Sequence, residues 1–181
     1  MLSKPPIVLG VDPGSQTTGY GIITQEGSRL IHIKSGSIHA PQGAVIEKRL
    51  HFIHKQLYQI IQETTPTTMA IEGVFHAKNV RSVLALAQAR GVILLTAAQM
   101  SLSVSEYSPM EIKKATVGYG RAQKDQIKEM IHRLFKFSGA PDLLLHDQSD
   151  ALAIAVCHLN SYRTEQFIQY SIQNSKELSV Q

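Results

Sequence analysis

Apolar residues in this chain follow two periods in turn. A buried run at 7–11 (IVLGV) breaks at Asp12 and a Pro-Gly turn, then resumes at 18–24 (TGYGIIT) and at 29–38 (RLIHIKSGSI). With Glu26-Gly27-Ser28 as a hairpin turn, these segments predict three strands in an antiparallel meander. From about Val45 to Glu63 the period changes: Ile46, Leu50, Ile53, Leu57, Ile60 and Ile61 recur at helical spacing until Pro66 stops the pattern. MAIEG at 69–73 is a short strand ending in an acid, 79–98 is a long Ala/Leu/Val-rich helix, and 101–107 (SLSVSEY) is a further strand. Pro109 opens a short helix, and the last clear element begins near Asp147 and runs through ALAIAVCHL. Such an order predicts an α/β fold with a mixed central sheet, a three-stranded antiparallel meander plus two parallel strands, flanked by helices.

With 181 residues, 43% of them hydrophobic, the chain can bury the core of one domain. That domain is expected over 1–162; beyond it, 163–181 turns polar and reads as a frayed helix or a disordered tail. A single cysteine, Cys157, excludes an intrachain disulfide and a cysteine-based zinc site. The N-terminal apolar stretch is too short for a signal peptide or a membrane span, so a cytoplasmic protein with no membrane partner is expected. Net charge is +4, unevenly spread: ten Lys/Arg against four Asp/Glu lie between Lys78 and Lys136, which leaves minus two for the remainder. A basic segment of this kind fits either a polyanion or a solvated helix face.

The acids carry the candidate chemistry. Asp12 ends the first strand and Glu72 the fourth, each behind apolar residues that anchor the backbone. Asp147 and Asp150 stand three apart at the start of a helix and share a face. Each has a plain structural reading too: Asp-Pro-Gly is a turn, Glu72 a solvated strand end, Asp147 a helix cap. Asp150 fits that reading least, because the stretch after it is the most apolar in the chain. If the helix packs at the strand ends, four carboxylates converge, and their repulsion is tolerable only with cations. Hard oxygen donors favour Mg²⁺, with Mn²⁺ as a substitute, and two such ions can clamp the attacking and leaving oxygens of a phosphoryl displacement.

From Ile7 to His158, four stretches in order, VLGVDPGSQTTGYGII, AIEGVFHAKN, YSPMEIKKATVGYGRAQKDQI and DQSDALAIAVCH, together resemble the RuvC-type Holliday junction resolvases. The resemblance implies a ribonuclease H-like fold and an endodeoxyribonuclease that resolves four-way DNA junctions by paired symmetric nicks in recombination and repair, leaving 5′-phosphate and 3′-hydroxyl ends. Matched by position, the family's metal-binding acids fall on Asp12, Glu72, Asp147 and Asp150; some members have a histidine at the third place, and His146 stands beside Asp147. Phe75 matches the aromatic that stacks on or wedges between bases at the junction point. Lys113 and Lys124 match basic residues near the scissile phosphate, while Lys78, Lys114 and Arg121 are expected on the DNA backbone. The family also forms a homodimer, largely through the helix corresponding to NVRSVLALAQARGVILLTAAQ, and works beside the RuvA and RuvB branch-migration complex. Two ions per subunit are expected.

Two other classes compete. An ATP-binding protein of the actin and sugar-kinase class also opens with a strand, D-x-G and a hairpin, but needs two lobes and a second glycine-rich phosphate loop that this chain lacks. A DNA-binding module of the same fold without catalysis would have no need of all four acids.

Overall fold

The computed structural model describes residues 5–73, 79–139 and 145–178, the last fourteen of these by backbone course alone. Three strands come first, β1 (Val8–Asp12), β2 (Thr17–Glu26) and β3 (Arg29–His39), followed by helix α1 (Ile46–Thr64), strand β4 (Thr68–Glu72) and helix α2 (Val80–Gln99). Strand β5 (Ser103–Tyr107) then leads into α3 (Pro109–Val117), α4 (Lys124–Phe135) and α5 (His146–Leu178). They form one five-stranded sheet in the order β3-β2-β1-β4-β5. β2 pairs antiparallel with β1 and β3, whereas β4 runs parallel to both β1 and β5. This is the mixed sheet that the strand order predicts. The C-terminal helix continues to Leu178, well past Ser161 where the sequence turns polar.

Alternation along the two central strands assigns every residue to a face. Leu9 and Val11 of β1, with Met69 and Ile71 of β4, join Ile53, Leu57, Ala89 and Ile93 of α1 and α2 in one core layer. Val8 and Ala70 face the other way, into a layer built by α3, α4 and α5. By the same parity Asp12 and Glu72 point toward the α5 layer.

Helix α5 rests almost flush on the sheet where glycines lie beneath it. A Cβ on Gly10 would stand 2.1 Å from the Ala151 carbonyl oxygen, and one on Gly21 2.8 Å from the Leu152 side chain. A Cβ on Gly19 would stand 2.0 Å from the carbonyl oxygen of Asp147. These distances leave room for hydrogen alone at three strand positions. Ala151 to Val156 are fully or nearly fully buried along the helix, as is Cys157, at 3% exposure. Just past this buried stretch, His158 Nδ1 pairs with the Tyr107 hydroxyl at 2.8 Å, and its Nε2 faces Thr68 Oγ1 at 3.3 Å.

Local signals explain the helix limits. Ser108 caps α3 by accepting from the Glu111 backbone N–H, and Pro109 occupies the first turn. Gly118 ends α3 at φ 90°, a left-handed geometry that suits glycine. Helix α2 is long and apolar enough to cross a membrane by length and composition alone. Its inner face instead packs on α1 and carries the buried Arg90.

Candidate functional site

The β1–β4 ladder sets Val11 against Ile71, so the next residues, Asp12 and Glu72, leave the sheet side by side on one face. Asp12 is also opposite Gly19 on β2, and Gly19 lies under the Asp147 backbone. The first turn of α5 is thereby pressed onto the strand that flanks Asp12. Asp150, one turn further, keeps a side chain 20% exposed and bonds the Lys124 ammonium at 2.8 Å.

Electrostatics record the same convergence. The Asp12 carboxyl is pushed up from 3.8 to about 7, first by burial, then by repulsion from Asp150 and Glu72, with Asp147 adding a smaller effect and Lys124 opposing it. Glu72 is likewise raised by burial and by Asp150, against attraction from Lys124 and Lys113. Lys124 is held protonated, chiefly by its bond to Asp150 and further by attraction to Asp150, Asp12 and Glu72. It is the first residue of α4, where a helix dipole disfavours a cation. The acids opposite therefore account for its place.

Among the described residues, no three His, Cys, Asp or Glu side chains form a closed ligand cage. The carboxylates are electrostatic neighbours that still share a lysine as counter-charge. The donor set nonetheless fits a divalent cation: it is all oxygen, partly desolvated, mutually repelling and already attracting a positive group.

Of the residues singled out in the sequence, Asp12, Glu72, Asp147, Asp150, Lys113 and Lys124 act on one another at this sheet end. His146 is turned to α4, with Nε2 3.8 Å from Asp125 Oδ1. Lys114 and Arg121 are exposed on α3 and on the loop that leads to α4. Phe75 and Lys78 lie outside the described residues.

Two features escape a reading of the sequence. One is the glycine seat of Gly10, Gly19 and Gly21, whose signal is glycine at positions of one strand parity. The other is Arg90, a buried cation within an apolar helix, 7% exposed, whose Nη1 donates to the Glu72 carbonyl.

A mixed sheet in this strand order, with carboxylates gathered where its two central parallel strands end, defines the ribonuclease H-like class of nucleases. Residues 8–158 match the family model for crossover junction endodeoxyribonuclease RuvC. A crossover junction endodeoxyribonuclease RuvC of Geobacter sulfurreducens is 47% identical over 154 residues, covering 85% of this chain and 92% of the relative. That of Syntrophomonas wolfei is 41% identical over 170 residues, covering 94% and 98%. Among solved structures, Thermus thermophilus RuvC in complex with a Holliday junction substrate superposes with a TM-score of 0.82 at 25% identity, covering 89% of this chain and 97% of that one. The chain belongs to the RuvC family.

Proposed function

We propose that this chain is a Mg²⁺-dependent endodeoxyribonuclease that resolves four-way Holliday junctions by paired symmetric nicks in DNA recombination and repair. The observation that carries this reading is the convergence of Asp12, Glu72 and Asp150 at one sheet end, where burial first and repulsion from the other two acids second raise Asp12 to about 7. Membership of the family supports it.

Asp12, Glu72, Asp147 and Asp150 would hold the ions, two per subunit, with Mn²⁺ as a substitute; His146, whose Nε2 stands 3.8 Å from Asp125 Oδ1, is the further candidate ligand beside Asp147. When bound, the metal supplies Lewis acidity at the phosphodiester and lowers the pKa of a water. Asp12 and Glu72, fixed by the ladder beneath them, give the site rigid donors that require no rearrangement. Lys113 and Lys124 offset charge on the scissile phosphate. In-line attack by water at phosphorus breaks the bond to the 3′ oxygen, leaving a 3′-hydroxyl and a 5′-phosphate. Lys78, Lys114 and Arg121 hold DNA backbone, which positions the substrate without reading its sequence. Phe75 stacks on an unpaired base at the point of exchange, an interaction worth ~1–3 kcal/mol.

Two copies associate through α2, giving one site per subunit and a two-fold axis that matches the approximate symmetry of a four-way junction. The nuclease unit is residues 1–162, with 163–181 as a polar extension. The protein acts in the cytoplasm beside RuvA and RuvB.

Asp12→Asn tests the site. Cleavage of a synthetic four-way junction in Mg²⁺ is expected to fall by at least about 100-fold while junction binding stays unchanged. Undiminished cleavage would show that the chemistry lies elsewhere.

A further inference from the structure

Arg90 belongs to the inner face of α2 and is 7% exposed. A cation so buried is costly unless its donors are matched. Its Nη1 donates to the Glu72 carbonyl oxygen at 2.5 Å, and its Nη2 pairs with Glu106 Oε1, also at 2.5 Å. A planar fork can reach two acceptors at once, whereas an ammonium is a single point charge.

The location gives these contacts their meaning. Glu72 is the last residue of β4, one step beyond the final β1–β4 pair at Val11 and Ile71, so on that side its backbone has lost its ladder partner. On the other side it still pairs with Tyr107 of β5, and Gly73 N–H donates to the Tyr107 carbonyl. Arg90 spans the ends of β4 and β5 from the α2 face, while parity sends the Glu72 carboxylate to the α5 face.

We propose that Arg90 is a positioning residue, which clamps the Glu72 carbonyl from behind the sheet and so fixes the Glu72 carboxylate among the acids in front. The proposal rests on the reading of Glu72 as a metal ligand. Arg90 touches neither substrate nor reacting atoms; it acts through the β4 backbone.

The test uses the full chain and Mn²⁺, with binding followed by the paramagnetic resonance of the free ion, beside single-turnover cleavage, junction affinity and thermal melting. Arg90→Gln is expected to weaken Mn²⁺ binding and slow cleavage by about 10-fold to 100-fold, the range for partners that orient metal ligands, with junction affinity held within about twofold. Glu106→Gln removes the ion pair but leaves the carbonyl clamp, and is expected to change Mn²⁺ affinity by less than about threefold. A folded Arg90→Gln protein with wild-type Mn²⁺ affinity would overturn the proposal, as would a Glu106→Gln loss equal to that of Arg90→Gln. If Arg90→Gln fails to fold, Arg90→Met, which keeps the buried stem and removes every donor to the Glu72 carbonyl, decides the matter: weakened Mn²⁺ binding supports the clamp, and wild-type affinity refutes it. Asp12→Asn, run in parallel, separates the two readings. Should it bind Mn²⁺ and cleave normally, the metal-site assignment itself fails; should it lose both while Arg90→Gln keeps both, only the Arg90 proposal fails.

Discussion

Asp12 is a carboxyl group for which folding favours the proton. With its ordinary value of 3.8 raised to about 7, the folded chain binds a proton over that interval that the unfolded chain has already released. The stability this contributes is complete below about pH 4 and is lost as pH rises through 7. The urea midpoint of the metal-free protein is therefore expected to fall between pH 5 and pH 8, and Asp12→Asn to flatten that fall. An unchanged slope in the variant would refute the assignment of this titration to Asp12. Added Mg²⁺ at pH 8 is expected to recover the wild-type midpoint, because a ligand that binds only the native state stabilises it. Asp12 and Glu72 were legible in the sequence because Leu9 and Val11, like Met69 and Ile71, set a strand parity that carries both acids to one face. Arg90 was not legible. An arginine in an apolar helix reads as a surface residue until the topology brings Glu106 and the end of β4 beneath it.

Among the elements, α5 and its seat decide whether the acids meet. Its first turn touches β2 through Gly19, where any side chain would run into the Asp147 carbonyl. Gly19→Ala is expected to lift that turn, costing about 1–3 kcal/mol by overpacking and lowering cleavage more than it lowers junction binding. Chemical denaturation with parallel cleavage assays would check this, and a variant as stable and active as the parent would remove the seat from the account. The strands, α1 and α2 follow from period and punctuation to within a residue or two at their ends, whereas α5 runs well past Ser161. The contact between α5 and the sheet does not. Glycine in a strand signals either a weak position or a close approach, and the distinction depends on which helix returns to cover it. Helix α4 carries local signals of its own, a capping box of Gln123 and Gln126 with Asp125 in the first turn, while Lys124 at its start is held by Asp150 across the site.

At the scale of the whole molecule, α2 presents two unlike faces. Ala89, Ile93 and Ala97 enter the core, while Val80, Leu84 and Leu95 are 82%, 60% and 55% exposed. Ala87, Gly91 and Ala98 continue the outer stripe, and nothing lies within 4 Å of where a Gly91 Cβ would stand. Val80 and Leu84 are thus free on the outer face, whereas Ile93 is consumed by the core. Composition alone does not show which side of an apolar helix the sheet will cover. In the proposed homodimer, Leu84→Glu would place a charge in the stripe without disturbing the core. Sedimentation is expected to change from the mass of two chains to that of one; a wild-type protein already running as a single chain would remove the proposed interface. The chain's one sulfhydryl, Cys157, is buried in the α5 layer. Burial pushes Cys157 up to about 12, so at neutral pH it offers no nucleophile to alkylating reagents or peroxide. A cysteine installed at an exposed place such as Lys114 would then be the sole reactive handle, and a fluorophore attached there would report DNA docking with the native thiol left in place.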